Sequence, residues 1–193
     1  MADEPATLTF EPLLAGRLEE GVQAVCLGTG RFLRAVLVPA LHELGAAVSL
    51  CQPRGDSFSA HIGRRILSGL GPSYEVETVL ADGAVLSSTY PVAACGSLCK
   101  PAGRAAFMAL PSRLHPRLRY LGVGVTEAGI AHNSEVMQAL AEFLHMYYIQ
   151  CLKKGDGDIV SVLNTDNLPL NGDAIHSHVM SCDYTQVSAK STD

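Results

Sequence analysis

The sequence predicts an α/β fold in which a mostly parallel sheet is flanked by helices, with a β-hairpin around residues 74–93. Near-continuous apolar runs of strand length alternate with runs in which apolar residues recur at helical spacing. This alternation is typical of parallel sheets that are covered on both faces. The hairpin is predicted by Ala81-Asp82-Gly83 between two β-rich runs, because Asp-Gly favours the dihedral angles of a tight turn.

The first half of the chain predicts a strand, a helix and a second strand. Residues 22–27 are a short apolar run of strand length. Apolar positions over 33–44 then recur at helical spacing, so a helix is predicted from about Arg31, and Gly45 ends it. Residues 46–51 form the second predicted strand.

The second half repeats the alternation. An apolar run within 119–129 predicts a strand, and a helical pattern follows from about residue 134 to residue 153. Residues 159–163 predict the last strand. A helix is expected to begin near Asp173, whose side chain can cap it.

Composition favours one soluble domain. A chain of 193 residues that is 48% hydrophobic can bury one core, so 1–187 is predicted to be a single domain with a frayed tail over 188–193. The 14 Lys+Arg against 19 Asp+Glu give a net charge of −5, which argues against a nucleic-acid or anionic-membrane partner. No secretory signal and no membrane-spanning apolar run are visible, so a cytoplasmic location is expected.

The cysteines and histidines predict no metal site. Cys26 and Cys51 lie in apolar strand runs and are expected to be reduced core thiols. Cys95 and Cys99 form one close pair, but no second pair at metal-site spacing accompanies them. The histidines of His176-Ser-His178 fall on different faces of a helix.

Three polar or glycine-rich segments follow predicted strands. Ligands of parallel α/β sheets bind at the carboxyl ends of the strands, so these segments are expected to meet at a ligand site. The alternative for each is a plain loop, because Asn, Asp, Pro and Gly also suit turns. The segments are Gly28–Arg34, Thr126–Gly129 and Asn164–Asp173.

The first segment has the features of a phosphate-binding turn, and it makes the predicted fold Rossmann-like. Gly28 permits a tight turn, Gly30 allows a pyrophosphate to approach the backbone, and the helix from Arg31 offers unpaired N–H groups. We therefore expect the pyrophosphate to lie over Gly28 to Phe32. The usual third glycine is replaced by Leu33. A structural turn without a ligand, or the methyl-donor loop of a methyltransferase, are the alternatives.

The end of the second strand bears on the choice between NAD and NADP. A ribose-binding carboxylate is common there, but this chain has Gln52-Pro53-Arg54-Gly55. Arg54 can pair with a 2′-phosphate, so NADP is at least as probable a cofactor as NAD. The alternative is an exposed arginine in a turn.

Together these motifs resemble the amino-terminal domain of the mannitol dehydrogenase family of polyol and hexuronate oxidoreductases. The family's G-x-G-x-F-x-R pattern is matched by Gly28, Gly30, Phe32 and Arg34, and its D-N-x-x-x-N-G pattern by Asp166, Asn167, Asn171 and Gly172. The resembling segments also include "QPRG", which is closer to the tagaturonate and fructuronate reductases, the "ADG" hairpin and "GVGVTEAG".

The resemblance implies a hydride transfer between NAD or NADP and the CH–OH group of an open-chain polyol, ketose or hexuronate. It implies that Asn167 positions the substrate or a catalytic lysine and that Glu127 lies near the proton route, both as catalytic residues. Thr126 is implied on the cofactor side, and Asp166 and Asn171 on the substrate side. The plain alternatives are that Asn167 closes a turn and that Glu127 caps a helix.

The family's catalytic lysine belongs to a second, mostly helical domain with a K-x4-N-x2-H pattern. Nothing in this chain matches that pattern, since Lys153 and Lys154 are followed by Gly and Asp. We therefore expect a cofactor domain that lacks its carboxy-terminal catalytic partner domain. The alternative is a non-catalytic dinucleotide-binding module or partner subunit. Glu127 and His132 are the first candidates for a base if the chain is active alone.

Overall fold

The computed structural model describes residues 21–131, 134–155 and 159–182. In chain order its strands are β1 (Gln23–Leu27), β2 (Ala47–Gln52), β3 (Ser73–Val79), β4 (Val85–Pro91), β5 (Ala94–Ser97), β6 (Leu118–Val123) and β7 (Ser161–Asn164). Its α-helices are α1 (Val38–Glu43), α2 (Ser57–Leu67), α3 (Pro101–Leu114), α4 (Glu127–Ile130), α5 (Glu135–Lys154) and α6 (Asn171–Met180). A π-helical segment, Leu33–Leu37, leads directly into α1.

Five strands form one parallel sheet in the order β5-β2-β1-β6-β7, so the predicted α/β fold with a parallel sheet is confirmed. From β1 the chain builds outward through β2 to β5, then returns to the other side of β1 for β6 and β7. The strand order therefore reverses between β1 and β6. In open α/β sheets such a reversal leaves a crevice at the carboxyl ends of the strands.

The sheet is buried because helices cover both of its faces. All five residues of β1 are buried, and alternate residues contribute to two separate cores. Val25 and Leu27 pack with α3, α5 and α6, where Phe107 and Phe143 lie with ring centroids 4.9 Å apart. Ala24 and Cys26 face the helix that follows β1, together with α2 and the hairpin. This two-sided burial explains why the strands read as continuous apolar runs.

The predicted hairpin is confirmed as the separate two-stranded sheet of β3 and β4. Gly83 has a φ of +83°, and the Ala84 N–H donates to the Asp82 carboxylate at 3.0 Å. The base of the hairpin packs into the core through Tyr74, which is 1% exposed. The hairpin is thus anchored at the end nearer the sheet.

The cysteines predicted to be core thiols are buried in β1 and β2. Burial raises the pKa of the Cys26 thiol to about 12, although a hydrogen bond from the Gly122 backbone opposes the shift. Burial raises the pKa of Cys51 as well. Both thiols therefore stay protonated at neutral pH.

The last helix differs from its prediction. It begins at Asn171, after Leu170 in a left-handed conformation with φ +52°, so Asp173 lies inside the first turn and is not the cap. A carboxylate in the first turn still interacts favourably with the helix dipole. Within the described residues, no helix combines the length and apolar character that crossing a membrane requires.

Candidate functional site

The three segments predicted to share one sheet edge do so, because they follow the adjacent strands β1, β6 and β7. Leu27 pairs in register with Val123, and Val123 with Asn164. The backbone continues the pairing past the strand ends, where the Gly124 N–H donates to the Leu27 carbonyl at 2.9 Å and the Thr165 N–H to the Val123 carbonyl at 2.9 Å. The segments therefore lie side by side at the point where the strand order reverses.

The two glycines of the first segment differ in what surrounds them. Gly28 has a φ of +134°, its N–H donates to the Cys51 carbonyl at 2.8 Å, and a Cβ there would overlap the carbonyl oxygen of Gly124. Packing and dihedral angle thus both require glycine at this position. Gly30 has no such φ, and a Cβ there would meet only the Gly124 carbonyl oxygen, at 3.9 Å. The space over Gly30 is open, so the residues present fit a pyrophosphate that approaches the backbone.

Leu33 occupies the place of the third glycine, and the close packing is supplied from β6 instead. A Cβ on Gly124 would lie 2.8 Å from the Leu33 Cβ, and a Cβ on Gly122 would lie 2.7 Å from the Cys26 sulfur and 2.9 Å from the Leu37 Cδ2. The helix that follows β1 therefore approaches the sheet over glycines of the neighbouring strand. The missing glycine of the fingerprint is compensated in space by two glycines distant in sequence.

Arg34 fixes the shape of the glycine turn. Its Nε donates to the Thr29 carbonyl at 2.8 Å, and its Cζ lies 4.8 Å from the centroid of the Phe58 ring and 5.7 Å from that of Tyr74. The Tyr74 hydroxyl donates to the Arg34 carbonyl at 2.7 Å. Burial raises the pKa of Tyr74, with the Arg34 charge opposing the shift, so the hydroxyl remains a donor.

Arg34 belongs to the G-x-G-x-F-x-R pattern, but the sequence alone indicates no role for its side chain. Its side chain spans the turn after β1, the first turn of α2 and the base of the hairpin. Of the two residues selected beside it, Arg31 is exposed and Phe32 is 59% exposed at the start of the helix. Both can contact a ligand that lies over the turn.

The loop after β2 is held by the side chain of Gln52, which is 8% exposed. Its Oε1 accepts from the Phe58 N–H at 2.9 Å and its Nε2 donates to the Arg54 carbonyl at 2.7 Å. The Gln52 amide is therefore engaged within the protein and shapes the loop. The Arg54 side chain is exposed on that loop and makes no hydrogen bond or ion pair with another described residue. It remains available to a ligand.

This loop is also tied to the end of β5. The Ser97 hydroxyl donates to the Gly55 carbonyl, the Gly55 N–H donates to the Cys99 sulfur at 3.1 Å, and Lys100 pairs with Asp56 at 3.2 Å. The sequence did not suggest these contacts, because Cys99 was considered only as part of a metal site. Among the residues that the structure describes, no group of three or more His, Cys, Asp or Glu can hold a metal ion.

The segment after β7 carries the predicted substrate-side residues. Asn164 Oδ1 accepts from the Asp166 N–H at 3.2 Å, and Asn171 Nδ2 donates to the Asp166 carbonyl across the loop. Asn171 thus closes the loop, while Asn167 is exposed. The Nδ2 group of Asn164 is buried and has no partner among the described residues. The Asn164 side chain thus holds the start of the loop from within, through its Oδ1.

Thr126 and Glu127 are both exposed at the start of the short helix α4. The Thr126 hydroxyl makes no capping hydrogen bond, and its carbonyl accepts from the Gly129 N–H at 2.6 Å. The structure thus places the predicted cofactor residue and the predicted proton-route residue together after β6. The candidate base His132 lies outside the described residues, as does the tail over 188–193.

A cleft of about 450 Å³ borders the glycine turn on the side of α2. Aromatic, cationic and hydroxyl side chains line it, which gives it a mixed polar and apolar wall. They are Thr29, Arg34, Ser57, Phe58, His61, Arg65, Tyr74 and Glu75.

Comparisons of the sequence with models of protein families and with curated proteins found no match for this chain.

Proposed function

We propose that this chain is the cofactor-binding domain of an NAD(P)-dependent oxidoreductase that acts on the CH–OH group of a polyol or hexuronate. The observation that carries the proposal is the contrast between Gly28, which the protein requires for its own packing, and Gly30, which it does not. Neither packing nor the dihedral angles require glycine at position 30. A ligand that approaches the protein backbone in the turn between the central strand and the helix would explain why the residue is glycine.

The position of the glycine turn supports the binding of a dinucleotide. The glycine turn lies at the reversal of strand order, with the loop after β2 on one side and the segments after β6 and β7 on the other. A dinucleotide laid across such a reversal places its adenosine half toward β2 and its nicotinamide half toward β6 and β7. Arg54 would then lie near the adenosine ribose, and Thr126 near the nicotinamide.

The bound cofactor would supply the hydride chemistry, and this chain would position it against the substrate. Arg34 holds the turn through the Thr29 carbonyl, so the pyrophosphate would meet a preformed backbone. On the substrate side, the exposed Asn167 offers a donor for a substrate oxygen. The choice of a polyol or hexuronate rests on the resemblance of the sequence motifs.

Proton transfer needs a group that the described residues do not place at the substrate side. Of the three lysines among them, Lys153 and Lys154 end α5, which begins at the carboxyl edge and runs toward the opposite edge. Lys100 pairs with Asp56 beyond β5, and β5 lies four strand intervals, roughly 19 Å, from β7. We therefore propose that a lysine of a separate helical domain completes the site.

A non-catalytic dinucleotide-binding module is the second candidate. The absence of a lysine near Asn167 among the described residues favours it, because such a module needs the turn but no base. The two candidates agree on cofactor binding and differ on turnover.

Cofactor binding is tested by titrating the protein with NADPH and NADH while following fluorescence. We expect binding by the wild type and its loss in Gly30→Val, because the added methyl groups occupy the path of the pyrophosphate. Ala40→Val is the matched control, since it adds similar bulk at an exposed position of α1. A folded Gly30→Val variant with undiminished affinity for both cofactors would contradict the placement of the pyrophosphate over the glycine turn.

A further inference from the structure

The cleft beside the glycine turn contains hydrogen-bond donors that the protein leaves without partners. It borders the turn through Thr29 and the first turn of α2 through Ser57 and Phe58. Its volume of about 450 Å³ lies within the range of small-molecule sites, about 300 to 1,000 Å³. Thr29 of the glycine turn lines it, whereas Arg54 and Asn167, the exposed residues placed above near the adenosine ribose and the substrate, do not.

Arg34 presents one donor edge to this cleft. Its Nε is occupied by the Thr29 carbonyl, and its guanidinium plane is held near the rings of Phe58 and Tyr74. The two terminal nitrogens of Arg34 have no hydrogen-bond or ion-pair partner among the described residues. The guanidinium group is thus fixed in place with its terminal donors unused, which is a geometry that suits an oxyanion.

Arg65 provides a second cation among the residues that line the cleft. One terminal nitrogen pairs with the Glu75 carboxylate at 3.2 Å and the other donates to the Ser73 hydroxyl at 3.2 Å. Its Nε is buried and unpartnered within the described part of the chain. The Arg65 guanidinium group is thus held in place beside the cleft by Glu75 and Ser73.

The charges of the cleft favour an anion although the whole chain carries −5. Two arginines face one carboxylate, that of Glu75, which leaves one formal positive charge with His61 counted as neutral. The ion pair with Arg65 uses the Glu75 charge, so the charge of Arg34 is the one without compensation. The Ser57 hydroxyl and the His61 ring can add hydrogen bonds.

We propose that this cleft binds the phosphate of a phosphorylated sugar, with Arg34 and Arg65 as its cationic contacts. The phosphate can come from the 2′-phosphate of NADP or from a free sugar phosphate. The first source rests on the proposed function, because the cleft borders the glycine turn and the first turn of α2, which follows the loop where the adenosine ribose would lie. The second source does not require a dinucleotide.

The test compares Arg65→Gln with Arg64→Gln, its neighbour on the exposed side of α2. Arg65 is preferred to Arg34 because Arg34 also holds the glycine turn. Affinities for NADPH, NADH and ribose 5-phosphate are measured by calorimetry, and thermal unfolding monitors the fold. We expect Arg65→Gln to weaken the phosphate-dependent binding about tenfold or more, as for a lost charged hydrogen bond, and Arg64→Gln to leave it unchanged.

The ligands distinguish the two sources. Tighter binding of NADPH than of NADH, with ribose 5-phosphate competing against NADPH, identifies the 2′-phosphate. Binding of ribose 5-phosphate to the protein already saturated with NADPH identifies a free sugar phosphate. Equal affinities for NADPH and NADH together with no binding of ribose 5-phosphate overturn the proposal, and so do equal effects of the two arginine variants. Failure of the wild type to bind either NADPH or NADH would instead contradict the proposed function.

Discussion

Gly28 and Gly30 lie two residues apart in one turn, and only the first is required by the packing of the protein itself. The Gly124 carbonyl fills the space beside Gly28 and leaves the space over Gly30 open. Arg34 sets the turn from the other side through the Thr29 carbonyl. At the scale of single residues, the site is a backbone surface that a few side chains hold in place.

Arg54 allows a test of cofactor choice at this scale. If its exposed guanidinium group contacts the 2′-phosphate, Arg54→Ala should weaken NADPH binding by about 1.5 to 3 kcal/mol and leave NADH binding nearly unchanged. Titration of both cofactors measures the difference, and Arg113→Ala, at an exposed arginine in the last turn of α3, is the control. Equal losses for NADPH and NADH would show that Arg54 shapes the loop or contacts the pyrophosphate.

Local chemistry explains which residues the sequence could identify. Glycine, asparagine and aspartate after an apolar strand mark a turn at the sheet edge, and this signal placed Gly28, Glu127 and Asn167 at one edge. The role of Arg34 depends on Phe58 and Tyr74, and no pattern within its own segment indicates those rings. The hydrogen bond from the Phe58 N–H of α2 to the Gln52 side chain could not be predicted for the same reason.

Among the elements, the helix after β1 and the strand β6 form the closest contact of the site. The helix passes over Gly122 and Gly124, so Leu33 and Leu37 reach the backbone of the strand. The π-helical segment Leu33–Leu37 lies in this contact, and such segments are frequent near functional sites. The position of the glycine turn therefore depends on the fit of this helix against β6.

Gly124→Ala tests that dependence. The added methyl group would press on the Leu33 side chain, and overpacking of this kind costs about 1 to 3 kcal/mol of unfolding free energy. Gly172→Ala is the control, because a Cβ there meets nothing within 4 Å. Urea denaturation measures both variants. If Gly124→Ala is as stable as the wild type, the close packing of helix and strand is not what requires glycine at that position.

The strand β5 is not predicted from the sequence, and neither are the helices α2 and α3. β5 contains only Ala94-Cys95-Gly96-Ser97, whose small side chains carry little strand signal, and its burial comes from pairing with β2. By contrast, β1 and β2 have long apolar runs, and the hairpin has its own turn signal. The two strands and the hairpin could thus be predicted from their own residues, whereas β5 depends on its pairing with β2.

At the scale of the whole molecule, the strand order sets a binding edge with two unlike ends. Arg54, Cys99 and Lys100 lie toward the β2 and β5 end, and Thr126, Asn164 and Asn167 toward the β6 and β7 end. A dinucleotide across the glycine turn would connect the two. The described part of the chain thus has an arrangement suited to holding a cofactor, without a lysine beside the predicted nicotinamide.

We therefore expect the 193-residue chain to bind NAD or NADP and to show no turnover of fructuronate, tagaturonate, fructose or mannitol. Binding requires β1, its turn and the following helix, whereas turnover requires a base within hydrogen-bond reach of the substrate oxygen. Activity assays on those four substrates check this, with and without a carboxy-terminal helical domain of the mannitol dehydrogenase family. Activity of the chain alone would redirect the search for the base to Glu127 and His132.

The contact of Leu33 with Gly124 has a consequence for how such a sequence can evolve. The Leu33 side chain occupies the space that a side chain at position 124, just after β6, would need. A change at one of these positions therefore alters which residues the other accepts. Leu33 and Gly124 together determine the position of the turn, although they lie in segments that are distant in the chain. A search for a contiguous three-glycine pattern overlooks the determinant, while a comparison of residue pairs across diverging copies of the gene would detect it as correlated substitution.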